Sequence, residues 1–374
     1  MNNIYVDNNA TTQVAPEVFE EMKPYFCDLY GNPSSMHSFG GNVQRKVVEA
    51  RERVADILGA LPTEIVFTSC GTESDNAAIR SALECFPEKR HIVTTRVEHP
   101  AVLNLCRHLE KHGYDVTYLS VDAEGRLNLD EVQDSLRSDT AIVSIMYANN
   151  ETGVIFPIEE IGLMVRQRGI LFHTDAVQAV GKIPLNLRES TIEMLSLSGH
   201  KLHAPKGVGV LYVRRGTPFR PFLIGGHQER GRRGGTENVA SIIALGKACE
   251  LAKDHLNEEN TRVRALRDRL EKGLLENCPD ARINGCTDQR LPNTLNISFE
   301  YVEGEAILLM INELGIAASS GSACTSGSLE PSHVLRAMGI PFTCAHGSVR
   351  FSLSCYNTEQ EIDYIVEKMP GIIR

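Results

Sequence analysis

The chain of 374 residues is 42% hydrophobic and 23% charged, the proportions of an ordinary globular protein with length for about two domains. Its formal charge of −10, with no Lys/Arg-rich block, argues against a nucleic-acid partner, and no run of about 18 apolar residues offers a membrane span. The N-terminus has neither the basic nor the apolar region of a signal peptide, so a cytoplasmic protein is expected.

In chain order, short apolar runs alternate with longer amphipathic stretches from about residue 16 to 251. The pattern predicts a strand over 64–69 and a helix over 72–83, a strand over 91–95 and a helix over 101–112, then a strand over 115–120 and a helix over 129–136. A strand over 141–147, a helix over 158–168 and a strand over 171–175 continue it. Such alternation with short buried strands predicts an α/β fold, a mostly parallel sheet covered by helices. Near Ser196 and over 208–213 two strands follow without a full helix between them, which predicts an antiparallel addition. A charged helical stretch over 260–275 marks entry to a second, α+β unit. That unit has strands near 294–299 and 349–353 and helices over 305–314 and 358–369.

Ten cysteines are scattered with no CxxC pair, so no structural zinc site is expected and most should be buried thiols. Cys324 differs. It stands in Ala317-Ala-Ser-Ser-Gly-Ser-Ala-Cys324-Thr-Ser-Gly-Ser, where nothing apolar packs against it, and a mobile, partly exposed loop is expected there.

Three further segments fall at strand ends, where open α/β sheets collect catalytic groups. Thr68-Ser-Cys-Gly71-Thr72 runs from strand to helix through a glycine; it suits a phosphate on a helix N-terminus, although a capped helix with no ligand is the commoner case. Asp175 closes a strand with Gln178 about one turn later; the carboxylate can pair with a protonated ring nitrogen or simply cap a helix. In Ser198-Gly-His200-Lys201 the lysine follows Asp175 by about 26 residues, a candidate nucleophilic amine beside hydroxyl and imidazole groups that can hold phosphate.

Nine segments in order carry a resemblance over nearly the whole chain: Tyr5-Val-Asp-Asn-Asn-Ala-Thr-Thr, Gly31-Asn-Pro-Ser-Ser-Met-His, Gly71-Thr-Glu-Ser-Asp-Asn, Val97-Glu-His-Pro-Ala, Asn149-Asn-Glu-Thr-Gly, His173-Thr-Asp-Ala-Val-Gln, Ser198-Gly-His-Lys, Arg233-Gly-Gly-Thr and Ser320-Gly-Ser-Ala-Cys. Together they resemble the pyridoxal-phosphate enzymes of aminotransferase fold type I, class V, and within them the cysteine desulfurases of the NifS/IscS branch.

The resemblance implies a large cofactor-binding domain over 15–256, and a small domain over 1–14 and 257–374 that carries the cysteine loop at about 317–331. It implies that Lys201 holds pyridoxal 5′-phosphate covalently and then shuttles protons, that Asp175 keeps the ring nitrogen protonated, and that Gln178 donates to the ring hydroxyl. His99 would stack on the ring and handle protons, and Gly71, Thr72, Ser198 and His200 would hold the phosphate. Thr236 would reach the phosphate of a neighbouring subunit, so a homodimer with shared active sites is implied. Arg350 would clamp the substrate carboxylate with help from Asn150 and Asn32, Asn150 also touching the cofactor; a buried salt bridge is the plain alternative for Arg350.

With L-cysteine bound, Cys324 would take the substrate's sulfur as a persulfide, leaving L-alanine, and deliver it to an iron-sulfur scaffold of the NifU/IscU kind. No intrinsic metal site is implied; Cys324 could complete a transient, shared iron-sulfur cluster while handing sulfur over. The long cysteine loop resembles group I, and the short C-terminal end with the segment Phe222-Leu-Ile-Gly-Gly-His-Gln-Glu-Arg-Gly leans to the nitrogen-fixation type. The competing readings are a selenocysteine lyase or another class V aminotransferase and, from a different class, a non-catalytic protein that docks on a scaffold.

Overall fold

In the computed structural model, which describes residues 3–320 and 331–373, two larger sheets with their helices and a two-stranded pair organise the chain. The strands are β1 (Ile4–Tyr5), β2 (Ile65–Thr68), β3 (His91–Thr95), β4 (Asp115–Leu119), β5 (Thr140–Ser144), β6 (Leu171–Asp175), β7 (Met194–Ser198), β8 (Gly209–Val213), β9 (Ala281–Ile283), β10 (Thr294–Phe299), β11 (Ile316–Ala317) and β12 (Ser348–Ser352). Seven of them form one sheet in the order β2-β8-β7-β6-β5-β3-β4. From β7 to β4 every pairing is parallel, and β8 is antiparallel to both β7 and β2, which is the predicted addition.

The apolar runs read as they do because both faces of this sheet are covered. Successive strand residues point to opposite faces. Ile65 and Phe67 join one core with Val93 and Val143, while Val66 joins the other with Ile92 and Ile142. On the first face the helix Ser38–Leu58 buries Val43, Val47, Ala50, Val54 and Leu58, spaced by three and four residues. It crosses the helix Val239–Asp254 so closely that a Cβ on Gly246 would lie 2.6 Å from Cα of Ala50. Any larger residue at 246 must push the two helices apart, and overpacking of this kind costs about 1–3 kcal/mol.

Element ends differ from the sequence reading by a few residues, for local reasons. Glu64 lies in a 3-10 turn rather than in β2, because its carboxylate accepts the Leu61 and Arg215 amides. The 260–275 stretch begins as a π-turn over Glu259–Val263 before the helix Arg264–Asn277.

The second sheet is antiparallel, β12-β10-β9, and it sits on a core with Leu266, Leu270, Ile362 and Ile365. The N-terminal segment crosses to it, since β1 pairs with β11 and Asp7 bridges Ser352. Val334, Leu335 and Met338, by contrast, pack into the core of the larger sheet although they follow β11 in sequence. The two units therefore interlock at the carboxyl ends of the parallel strands.

Candidate active site

The carboxyl ends of β5, β6 and β7 open onto a cavity of about 440 Å³. One corner is built for an anion. β2 leads into the helix Gly71–Cys85 through Cys70, an N-cap residue whose side chain makes no capping bond. A helix start without a side-chain cap presents free amides and partial positive charge. Gly71 and Thr72 line the cavity there, and a Cβ on Gly71 would lie 2.9 Å from Cγ2 of Val177. Across the corner Ser198, at the end of β7, has a buried Oγ with no hydrogen-bond partner among the described residues. An orphaned hydroxyl in a folded interior is costly, and Ser198 lines the same cavity. His200 follows on the turn Gly199–Lys201, its Nδ1 3.1 Å from Oγ1 of Thr11; burial, with Lys201 and Lys206 nearby, holds it neutral, its pKa down to about 4.

Lys201 ends that turn and projects under the N-terminal segment. Its Nζ donates to the main-chain carbonyls of Asn9 at 2.6 Å and Ala10 at 2.7 Å. Asn9 O also accepts Nε2 of Gln178 at 3.1 Å, so one carbonyl joins the amine to the loop after β6. Asp175 closes β6, and burial pushes its carboxyl up to about 6 against the opposing effects of the Val177 amide at 2.9 Å and of Lys201. Its capping bond to Val177 and its place in the cavity coexist, so the two sequence readings of Asp175 are not exclusive. Asp75, buried beside it, is raised well above the ordinary range by burial and by Asp175 itself. Below them His173 bridges Ser144 and Ser196, and burial keeps it neutral, with a pKa of about 3.

His99 caps the helix Pro100–Glu110, its Nδ1 accepting the Ala101 amide at 3.1 Å. Burial, helped by Lys201 and His333, lowers its pKa to about 4. At neutral pH the ring is therefore neutral, with Nδ1 as acceptor and the proton on Nε2. On the opposite wall Arg350 rises from β12, almost wholly buried. It donates to the Asn150 carbonyl and to the Asp7 carboxylate, each at 2.9 Å, so it makes the buried salt bridge and lines the cavity at once.

Asn32 and Thr236 are not brought to this cavity. Both are exposed; Asn32 caps its own turn by accepting the Ser34 amide, and Thr236 lies in a segment tied down by Arg51–Glu229 at 2.6 Å and Arg233–Glu73 at 2.8 Å. Cys324 lies outside the described residues. The described residues on either side of its segment both reach the site. Ser319 pairs by main-chain bonds with Arg350, while His333 lines the cavity and donates Nε2–H to the Glu98 carbonyl at 3.0 Å.

Four contributors escaped the sequence reading: Asp7, Asn9, Glu98 and His333. Glu98 is fully buried, with its carboxylate accepting Oγ1 of Thr95 and the Met146 amide. Burial outweighs those donors and lifts it to about 8. A glutamate next to a strand-end histidine was the available signal for it.

The model of the family described as aminotransferase class-V matches residues 4–365. A cysteine desulfurase of Trichormus azollae is 66% identical over 373 residues, spanning 100% of this chain and 93% of that protein. The cysteine desulfurase NifS of Azotobacter vinelandii is 61% identical over 374 residues, with 100% and 93% covered. Among solved structures, a NifS-like protein superposes with a TM-score of 0.93 at 41% identity, covering 99% of both chains.

Proposed function

The chain belongs to the class-V aminotransferase family and, within it, to the cysteine desulfurases of the NifS type, and from that premise we propose which residues carry the reaction. The family cofactor is pyridoxal 5′-phosphate, and the cavity suits it at both ends. Gly71, Thr72, Ser198 and His200 would hold the phosphate, with the orphaned Ser198 Oγ as the clearest vacant donor. Asp175 and Gln178 would hold the ring, with Asn150 beside it, and Lys201 would hold the carbonyl end. Bound there, the cofactor supplies an electron sink for the α-carbon of an amino acid.

The remaining chemistry belongs to the protein. Arg350, with Asn150 at its side, would take the L-cysteine carboxylate in a two-point grip and fix the α-carbon between Lys201 and His99. Lys201 would move the α-proton, while neutral His99 would donate from Nε2 or stack. The Cys324 thiolate then attacks the substrate sulfur. The substrate C–S bond breaks, an S–S bond forms on Cys324, and the bond pair stays with the β-carbon, which takes up a proton and leaves as L-alanine. The sulfur ends oxidised relative to cysteine and the carbon reduced by the same two electrons, so no outside oxidant is needed.

The observation that carries this reading is the convergence on Lys201 of an uncapped helix start, an orphaned hydroxyl, a buried carboxyl of raised pKa and a buried arginine. Mass spectrometry of the holoenzyme after L-cysteine should find one added sulfur on the Cys324 peptide, and Cys324→Ala should abolish alanine formation. Full alanine production by that variant would sink the assignment.

The sulfur acceptor would be an iron-sulfur scaffold, in nitrogenase maturation by analogy with the NifS relative, and any cluster shared with Cys324 would be cargo. Among the described residues no group of three or more His, Cys, Asp or Glu side chains could hold a metal ion, and no helix is long and apolar enough to cross a membrane. We further read the protein as a homodimer that shares its sites. Asn32 lies between exposed Tyr30 and Met36, and Thr236 follows exposed Ile224 by one loop, so both residues missing from the cavity occur beside apolar surface suited to a second copy.

A further inference from the structure

With the L-cysteine carboxylate on Arg350 and its amine at Lys201, the reading on which this inference rests, the substrate's sulfur must face cavity residues that have no part in either grip. Few polar side chains qualify. Cys70 stands at the phosphate corner, and Asp75 lies beside Asp175 at the ring end. Asn9 is used up within the protein, its Nδ2 donating to Oγ1 of Thr294 at 2.9 Å and its Oδ1 accepting Nδ2 of Asn293 at 3.1 Å. Oε2 of Glu151 accepts the Ser332 hydroxyl. His333 is left.

The His333 ring is held from two sides. Ser332 caps the helix His333–Ala337, its Oγ accepting the Val334 amide at 3.1 Å, and Val334 and Leu335 are buried in the core of the larger sheet. Nε2 donates to the Glu98 carbonyl at 3.0 Å; a carbonyl only accepts, so Nε2 carries the proton and the neutral imidazole leaves Nδ1 as a lone pair. Nδ1 has no hydrogen-bond partner among the described residues, and the half-buried ring lines the cavity. Glu98 directly precedes His99, so the same bond brings the two imidazoles close together. His99 presents the opposite atom, an Nε2 that carries its proton because Nδ1 accepts the Ala101 amide.

One acceptor and one donor together suit a thiol, whose S–H is a weak donor and whose sulfur is a weak acceptor. We propose that His333 is the residue that recognises the thiol of the substrate, Nδ1 accepting its S–H while Nε2–H of His99 donates to the sulfur. The arrangement keeps the proton on the sulfur. That suits the reaction, because a negative charge there would repel the incoming Cys324 thiolate. The described ends of the segment that carries Cys324 are tied to two residues of this cavity, Ser319 to the main chain of Arg350 and Ser332 to Glu151, and His333 adjoins one of those ends.

The test compares L-cysteine with L-2-aminobutyrate, which has a methyl group where cysteine has its thiol and so matches its size without the donor. Alanine formation by the holoenzyme gives kcat and KM for L-cysteine and, with aminobutyrate as competitor, an inhibition constant. His333→Phe keeps the bulk of a ring without a lone pair. Its kcat/KM for L-cysteine should fall about fivefold, the worth of one neutral hydrogen bond, while aminobutyrate inhibits as before. His333→Lys still donates to the Glu98 carbonyl but can accept nothing, and it should show the same selective loss. His333→Gln has both a donor and an acceptor and should recover most of it. An equal loss for both amino acids in His333→Lys would make the residue structural, and an unchanged kcat/KM in His333→Phe and His333→Lys would leave the thiol without this partner; either result overturns the proposal. If aminobutyrate did not inhibit the unaltered holoenzyme, the fault would lie in the grip at Arg350 and Lys201, and the proposal would fall with it.

Discussion

Nη2 of Arg350 donates to Oδ1 of Asp7 across 2.9 Å, joining residues 343 positions apart, of which Arg350 lines the main cavity. Asp7 is also held there by its bridge to Ser352, so the guanidinium plane is fixed before any substrate arrives. Removing the arginine outright would strand a partly buried carboxylate and confuse folding with binding. Arg350→Lys keeps a cation for Asp7 and removes only the two-point fork. Its KM for L-cysteine should rise about ten- to a hundredfold, with kcat falling much less. Steady-state alanine formation reads this directly, and an unchanged KM would mean that Arg350 serves only the salt bridge.

Ser198→Ala should split stability from cofactor affinity. The Oγ makes no bond among the described residues, so its removal takes nothing from their packing and relieves an unsatisfied group. The cofactor-free variant should melt at the wild-type temperature or slightly above it. Cofactor affinity should fall by about tenfold, the worth of one bond to a charged acceptor. A lowered melting temperature with unchanged affinity would show that the hydroxyl has a structural partner instead.

Glu98 gives the cofactor-free protein a pH dependence of definite sign. Its ordinary value is 4.5 and burial lifts it to about 8, so the native state keeps a proton that the unfolded chain has released. The stabilising contribution is complete below about 4.5 and falls away as the pH climbs towards 8, by about 1.4 kcal/mol per pH unit. His99, His200 and His203, all lowered to about 4, act with the opposite sign but only below 6.5. Asp175, raised to about 6, acts with the same sign as Glu98 at lower pH. Asp75, raised well above the ordinary range by burial, adds a decline of the same sign, so Glu98→Gln should reduce the slope between 6.5 and 8 in denaturant titrations without abolishing it. A slope unchanged in the variant would assign the decline to other groups.

The shared-site reading of Asn32 and Thr236 depends on association. Ile224 is 89% exposed, an unusual position for a large aliphatic side chain on a free surface. Ile224→Glu should shift sedimentation from dimer towards monomer and weaken cofactor retention by about tenfold as the partner's residues are lost. A variant that stays dimeric, or a monomer with full cofactor affinity, would refute sharing through this surface.

What the sequence disclosed and what it hid divide along physical lines. The seven-stranded sheet was legible because short strands such as 91–95 and 171–175, each with an apolar pair and buried throughout, alternate with amphipathic helices. Asp175, Ser198 and Lys201 were legible because the chemistry is written into consecutive residues at strand ends. Asn9 was not, because its contribution to Lys201 is a main-chain carbonyl, and a carbonyl has no residue type. Asp7 was hidden by distance along the chain, and the packing of Val334 and Leu335 on the larger core by the way the two units interlock.

His99 is where a structural and a chemical role share one side chain, and an asparagine can separate them. Nδ1 accepts the Ala101 amide at 3.1 Å and so caps the helix Pro100–Glu110. Asparagine is among the best helix N-caps, and its side-chain oxygen can take the same amide, so His99→Asn should change stability by less than about 1 kcal/mol. The imidazole is lost entirely, and with it a neutral ring bearing a proton on Nε2 at physiological pH. If the ring handles protons, kcat for alanine formation should drop about a hundredfold while the melting temperature holds. The wild-type acid limb should also lie well below the ordinary 6.5 of histidine, because His99 stays neutral down to about 4. A His99→Asn enzyme with normal turnover would reduce the residue to a cap, and a large loss of stability would show that the ring packs where the carboxamide cannot.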